Sequence, residues 1–146
     1  RPVTLEILPG AADAVRGALA VGASSAALIP SHKLPLFLPS LFQPAQGSAT
    51  STPAVFHVAC ESICCDMTMV SAVEEATGVT PTRASVRSGA LLLNSASPQE
   101  CHDLTVVAHV AAQRLHKLRV HFYDGARVAR ELAKVDTLTE ESIETL

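Results

Sequence analysis

The chain has 146 residues, of which 48% are hydrophobic and 17% charged, and a formal charge of −3. That is one domain by length, residues 1–146, with enough apolar material for a proper core. An aromatic content of 3% and the slightly acidic balance exclude a basic, base-stacking nucleic-acid surface and give no electrostatic case for an anionic membrane.

In chain order, residues 4–7 form a short strand candidate and Pro9-Gly10 a turn. Residues 11–21 predict an Ala-rich helix, with Gly22 placed as its C-terminal glycine. Residues 24–29 read as a buried strand closed by Pro30. Leu34, Phe37, Leu38 and Leu41 fall at helical spacing. Pro35 suits a first turn, whereas Pro39 predicts a kink or a stop. Residues 43–53, rich in Ser, Thr, Ala, Gly and Pro, predict an exposed loop. Val55-Phe56-His57-Val58-Ala59 is a second strand. Residues 60–86 carry little pattern beyond a helical stretch to Ala76 and a Gly-Val-Thr-Pro turn.

The clearest stretch follows. Residues 89–93 form an apolar strand, and Ser97-Pro98-Gln99-Glu100 is a capping box with proline at the first helical position. The helix it opens is expected to reach His116 with Leu104, Val107, Ala108 and Ala111 on its buried face. Residues 118–123 form another strand, 126–134 a short helix, and Thr139 caps a last one. Strands separated by helices predict an α/β fold, a three-layer parallel sheet with helices on both faces. Ligands of such sheets gather at the carboxyl ends of the strands.

No apolar run approaches the roughly 20 residues of a membrane helix. The chain opens on Arg1 with no signal-peptide pattern, and is expected to be a piece of a longer protein of the cytoplasm or mitochondrial matrix. The four cysteines lack secreted spacing, which favours free thiols in a reducing compartment. Cys60, Cys64, Cys65 and Cys101 are the candidate metal ligands. The absence of a C-x-x-C pair favours buried thiols over zinc or an iron–sulfur cluster.

His57 and His121 lie inside strands and read as satisfied core residues; His109 is mid-helix, and His32 follows a strand end. Cys101, His102 and Asp103 are consecutive, so a helix points them about 100° apart and they cannot work as a triad. Asp124-Gly125 reads as a turn whose aspartate caps the next helix. Arg83, Arg87, Arg127 and Arg130 read as solvated, and no glycine-rich phosphate loop is present. From the residues alone, the reading ends at a parallel α/β domain without a legible active site.

Five stretches in order resemble the N-terminal thiamine-fold module of the pyruvate:ferredoxin (flavodoxin) oxidoreductases. They begin Gly10-Ala-Ala-Asp-Ala, Leu34-Pro-Leu-Phe-Leu, Pro53-Ala-Val-Phe-His, Asn94-Ser-Ala-Ser-Pro and His121-Phe-Tyr-Asp-Gly. The resemblance implies a glutamate that activates the thiamine aminopyrimidine; Leu8 stands at that position. It implies a substrate-carboxylate arginine after His-Val-Ala-x; Glu61 stands there. The module therefore resembles a degenerate copy, similar to the one heading the flavoprotein subunit of NADPH sulfite reductase. No cofactor is expected in the domain itself. The parent is expected to use FAD/NADP, or thiamine diphosphate with Mg²⁺ and iron–sulfur clusters. Expected partners are the parent's other domains or subunits in a homo- or hetero-oligomer, with neither nucleic acid nor membrane. Two readings remain beside this: a fragment of an active thiamine-dependent 2-oxoacid oxidoreductase, and a cysteine-based metal or redox module.

Overall fold

The computed structural model describes residues 10–42, 53–60, 69–128 and 130–144. Four apolar segments form the strands: β1 (Ser25–Pro30), β2 (Ala54–Cys60), β3 (Leu91–Ser95) and β4 (Arg119–Asp124). All pairs are parallel, in the order β1-β2-β4-β3. Parallel neighbours need a crossover. Between β3 and β4 it is the long helix α5 (Pro98–Leu115), so the βαβ unit read from the sequence is present as expected.

The helices lie on both faces, as the α/β reading requires. Before α5 come α1 (Ala11–Ala20), α2 (Leu34–Phe42), α3 (Met69–Thr77) and α4 (Pro81–Ser88). After β4 come the single turn α6 (Gly125–Val128) and the short α7 (Glu140–Glu144). Side chains alternate across a strand, and Phe56, Val58 and Cys60 of β2 join Val120 and Phe122 of β4 under Leu34, Phe37, Val73 and Ala84. Phe37 meets Phe56 edge-on at 5.7 Å, an arrangement worth about 1 kcal/mol beyond area burial. The opposite face carries Val55, which packs against Ala108 and Ala112 of α5.

Local signals explain most helix ends. The Ser97 hydroxyl accepts the Glu100 N–H at 3.2 Å, and Glu100 Oε2 accepts the Ala96 N–H at 2.8 Å, the reciprocal bonds of a capping box. Asp124 Oδ1 accepts the Arg127 N–H at 2.9 Å and opens α6, the cap read from the sequence. Gly125 lies against β2: a Cβ there would come within 2.9 Å of Ala59 Cβ.

Three expectations are corrected and one unread stretch resolved. Of the kink or stop expected at Pro39, the stop does not occur: Pro39 lies inside α2; its missing N–H costs one hydrogen bond, and the buried Leu34 and Phe37 anchor the helix from its first turns. The turn read at residues 78–81 is present, and residues 81–88, for which the sequence carried no pattern, form α4, opened by Pro81 at its first position. Val107 is 51% exposed, because α5 turns Ala108 and Ala112 to the sheet instead. The helix expected over 126–134 closes after Val128; residues 131–139 have no regular structure. The strand at 4–7 and the loop at 43–52 lie outside the described residues.

Candidate functional site

Two places gather polar side chains: the carboxyl rim of the sheet and a row of buried histidines beneath α5. The register creates the row. Leu28 of β1 stands beside His57 of β2, His57 beside His121 of β4, and His121 beside Leu93 of β3. All four share the face that α5 covers, and α5 places His109 above them. His57 Nε2 lies 3.1 Å from His109 Nε2, and His57 Nδ1 lies 3.1 Å from His121 Nδ1. His121 Nε2 then meets Ser95 Oγ at 2.9 Å. His57, His121 and Ser95 are all buried.

These contacts satisfy the two strand histidines as the sequence reading expected, but with each other rather than with the backbone. Burial disfavours a charged ring. It lowers the pKa of His57 to about 4, with His109 and His121 adding to the effect. It also lowers the pKa values of His109 and His121. The row is therefore neutral at pH 7.

Sequence reasoning missed one neighbour. Arg119 of β4 is 2% exposed and lies on the same face, two residues before His121. Its guanidinium donates to Leu118 O at 3.1 Å and to Ala111 O at 3.3 Å, while the buried Nε has no partner among the described residues. Burial lowers its pKa as well. Nothing in the sequence marks a strand-opening arginine as buried; α5, whose Ala111 O accepts from it, places it inside.

The cysteine candidates do not converge. Cys60 closes β2 and faces the α1–α4 side, whereas Cys101 sits in the first turns of α5 on the other side of the sheet. Burial, then the Asp124 carboxylate, raises the Cys60 thiol to about 11. Burial raises that of Cys101 too, partly opposed by the bond from Ser95. Cys64, Cys65 and Glu61 lie outside the described residues, as does Leu8. No group of three or more potential metal ligands forms among the described residues. His102 does reach Asp103, Nδ1 to Oδ1 at 3.0 Å, but at the surface, next to a partly buried Cys101. His32 lies in the 3-10 turn after β1, and Arg83, Arg87, Arg127 and Arg130 are exposed; Arg127 pairs with Glu131 at 3.1 Å.

The carboxyl rim holds Asp124, Ser97 and Glu100, each engaged in starting a helix. The larger described cavity, about 220 Å³, opens at the other end, between Ser24, Ser25, Pro53, His109 and Gln113.

The chain matches the family described as pyruvate flavodoxin/ferredoxin oxidoreductase, thiamine diphosphate-binding, over residues 6–146. It belongs to that family. It is 35% identical over 137 residues to the pyruvate:ferredoxin oxidoreductase of Moorella thermoacetica, covering 94% of this chain and 11% of that protein. The same identity and coverage hold for a pyruvate-flavodoxin oxidoreductase of Nostoc sp.. A second Nostoc pyruvate-flavodoxin oxidoreductase is 32% identical over 136 residues, covering 93% of the chain and 32% of that protein. The chain thus spans a small part of the relatives it matches.

The family's cofactor gives a test of the rim. By resemblance, the aminopyrimidine needs a carboxylate turned toward it. Two carboxylates at the rim, Asp124 and Glu100, are instead held as caps by the N–H groups of Arg127 and Ala96, and the cavity of about 220 Å³ lies at the far edge. No helix among the described residues is long and apolar enough to cross a membrane.

Proposed function

We propose that this chain is a non-catalytic, packing module of a larger oxidoreductase, one that keeps the family's thiamine fold without its proton relay. The observation that carries the reading is Leu8 at the position where the resemblance implies the activating glutamate. A leucine neither takes nor gives a proton, so the thiazolium carbon is not activated from this module. Glu61, where the resemblance implies an arginine, supports the same reading, because its charge repels a 2-oxoacid carboxylate. Asp124 and Glu100 do not replace the lost carboxylate, since both are spent on helix starts.

The parent that fits this reading is the flavoprotein component of an NADPH sulfite reductase. Residues 26–30 and 34–41 resemble the module that precedes its FAD/NADP region. In that setting the domain binds no cofactor and serves contacts with the other domains or subunits. The second reading is a piece of an active pyruvate-flavodoxin oxidoreductase, favoured by the names of its relatives. Calorimetric titration of the full-length protein with thiamine diphosphate and Mg²⁺ separates them. The scaffold reading expects no saturable heat from a site that includes this module; micromolar binding that is lost when Leu8 or Glu61 is altered overturns it.

A further inference from the structure

Strand β1 is covered on one face only. Toward the α1–α4 face, Ile29 is 2% exposed and Ala27 packs into the core; toward the α5 face, Leu28 is 69% exposed and Ala26 is exposed as well. The reason is width. Helix α5 packs on β2, β4 and β3 and stops short of covering β1. Between β1 and α5 lies the cavity of about 220 Å³, floored by Ala26 and Val55 and walled by His109, Ala112 and Gln113. The outer edge of β1 is free too, since among the described residues it pairs only with β2.

The sequence of β1 does not match that exposure. Ala26-Ala27-Leu28-Ile29 has no polar residue on either face, the pattern of a parallel strand buried on both. Its register is unbroken and it carries no charge, so it lacks the bulges and charges that keep an open edge from pairing. Topology says what form the cover takes. The crossovers from β1 to β2 and from β2 to β3 hold α2, α3 and α4 on one face, and the one running back from β3 to β4 holds α5 on the other. That is how crossovers of a single hand arrange themselves. A parallel strand added outside β1, with its chain moving on away from the domain, therefore lays its helix on the α5 face, over Leu28. One strand–helix unit closes both the edge and the face.

We propose that the free edge of β1 and the trough between β1 and α5 are a docking site for a strand–helix unit of the parent protein from outside residues 1–146. The strand is apolar on both faces and pairs in parallel with β1; the helix lies beside α5 and sets apolar side chains on Ala26 and Leu28. No charged residue lines the cavity, and burial holds His109 neutral at pH 7, so the side chains that enter it are uncharged. The length of the relatives supports an occupant from the same polypeptide: the matched part is 11% of the Moorella thermoacetica protein and of the first Nostoc one. The inference rests on the packing role proposed above and gives that role its surface; it does not depend on whether thiamine diphosphate binds.

The test uses the full-length protein. Maleimide labelling of Leu28→Cys, read peptide by peptide and referred to the same protein in urea, should be slowed at least roughly tenfold, because a closed contact must open before the thiol reacts. Hydrogen exchange should show every β1 amide protected, whereas a strand paired on one side protects roughly half. Photo-crosslinking from Gln113→benzoylphenylalanine, on the wall of the trough, should join a peptide outside residues 1–146 of the same chain, established with a mixture of light and heavy protein. Labelling at the unfolded rate, rapid exchange of half the β1 amides, no adduct, an adduct confined to residues 1–146, or one joining light to heavy chains would each overturn the docked unit. Saturable thiamine binding with this protection intact would overturn only the loss of catalysis, so the two failures are told apart.

Discussion

Acid should weaken this domain well before its carboxylates are protonated, and His57 is the first reason. In the unfolded chain it takes up a proton below its ordinary 6.5, but in the folded protein only near 4. Between those values the unfolded state binds more protons, so stability is complete above 6.5 and falls as pH drops toward 4. A shift of that size corresponds to about 3 kcal/mol lost across the window from His57 alone. The lowered values of His109 and His121 act in the same direction. Against a domain stability of about 5–15 kcal/mol this is a large share, and it lowers the melting temperature by roughly 6–12 °C. The assay is urea unfolding followed by circular dichroism at half-unit steps from pH 7.5 to 4.5, for the natural chain and for His57→Gln. The glutamine keeps a donor and an acceptor but cannot titrate. The natural chain should lose stability steadily below 6.5, and the variant should show a shallower slope from a lower starting point. A flat profile in the natural chain, or equal slopes in both, would refute the idea that burial holds these rings neutral.

Other outcomes follow from the packing and caps. Ser97→Ala removes the acceptor for the Glu100 N–H and should cost about 1 kcal/mol by denaturant unfolding. Gly125→Ala places a methyl 2.9 Å from Ala59 Cβ and should destabilise by about 1–3 kcal/mol, read in the same way. Phe122→Ala empties a fully buried position between the sheet and its helices; a loss of about 3–5 kcal/mol is expected. The Cys60 thiol, raised from 9.0 to about 11, should hold about a hundredfold less thiolate than an ordinary cysteine. Peptide-resolved alkylation of the folded protein at pH 8 should therefore label it slowly, and fast labelling would contradict its burial.

The βαβ unit was legible because its signals agree: an apolar run, a serine cap with proline and glutamate behind it, and a second apolar run ending in Asp-Gly. Helix α4 was not, since Ala84 is its one buried described residue; six polar or exposed neighbours leave no apolar period to read. The inward stripe of α5 was misassigned at Val107 because small residues, Ala108 and Ala112, let the helix approach the sheet, and hydrophobicity alone ranks valine above them. The histidine row was half legible. Two apolar strands each carried one histidine, and both were rightly assigned to the core. Their pairing depends on β4 lying beside β2 in register, and His109 joins only through the placement of α5. Those are tertiary facts. The positions on which the proposed loss of catalysis rests, Leu8 and Glu61, were legible through resemblance alone.

The most direct measurement is the exchange of the thiazolium C2 proton of thiamine diphosphate for deuterium, followed by NMR with the full-length protein and Mg²⁺. With Leu8 in place of the activating glutamate, exchange should proceed at the rate of the free cofactor. Acceleration that depends on this module would contradict the proposed loss of its chemistry.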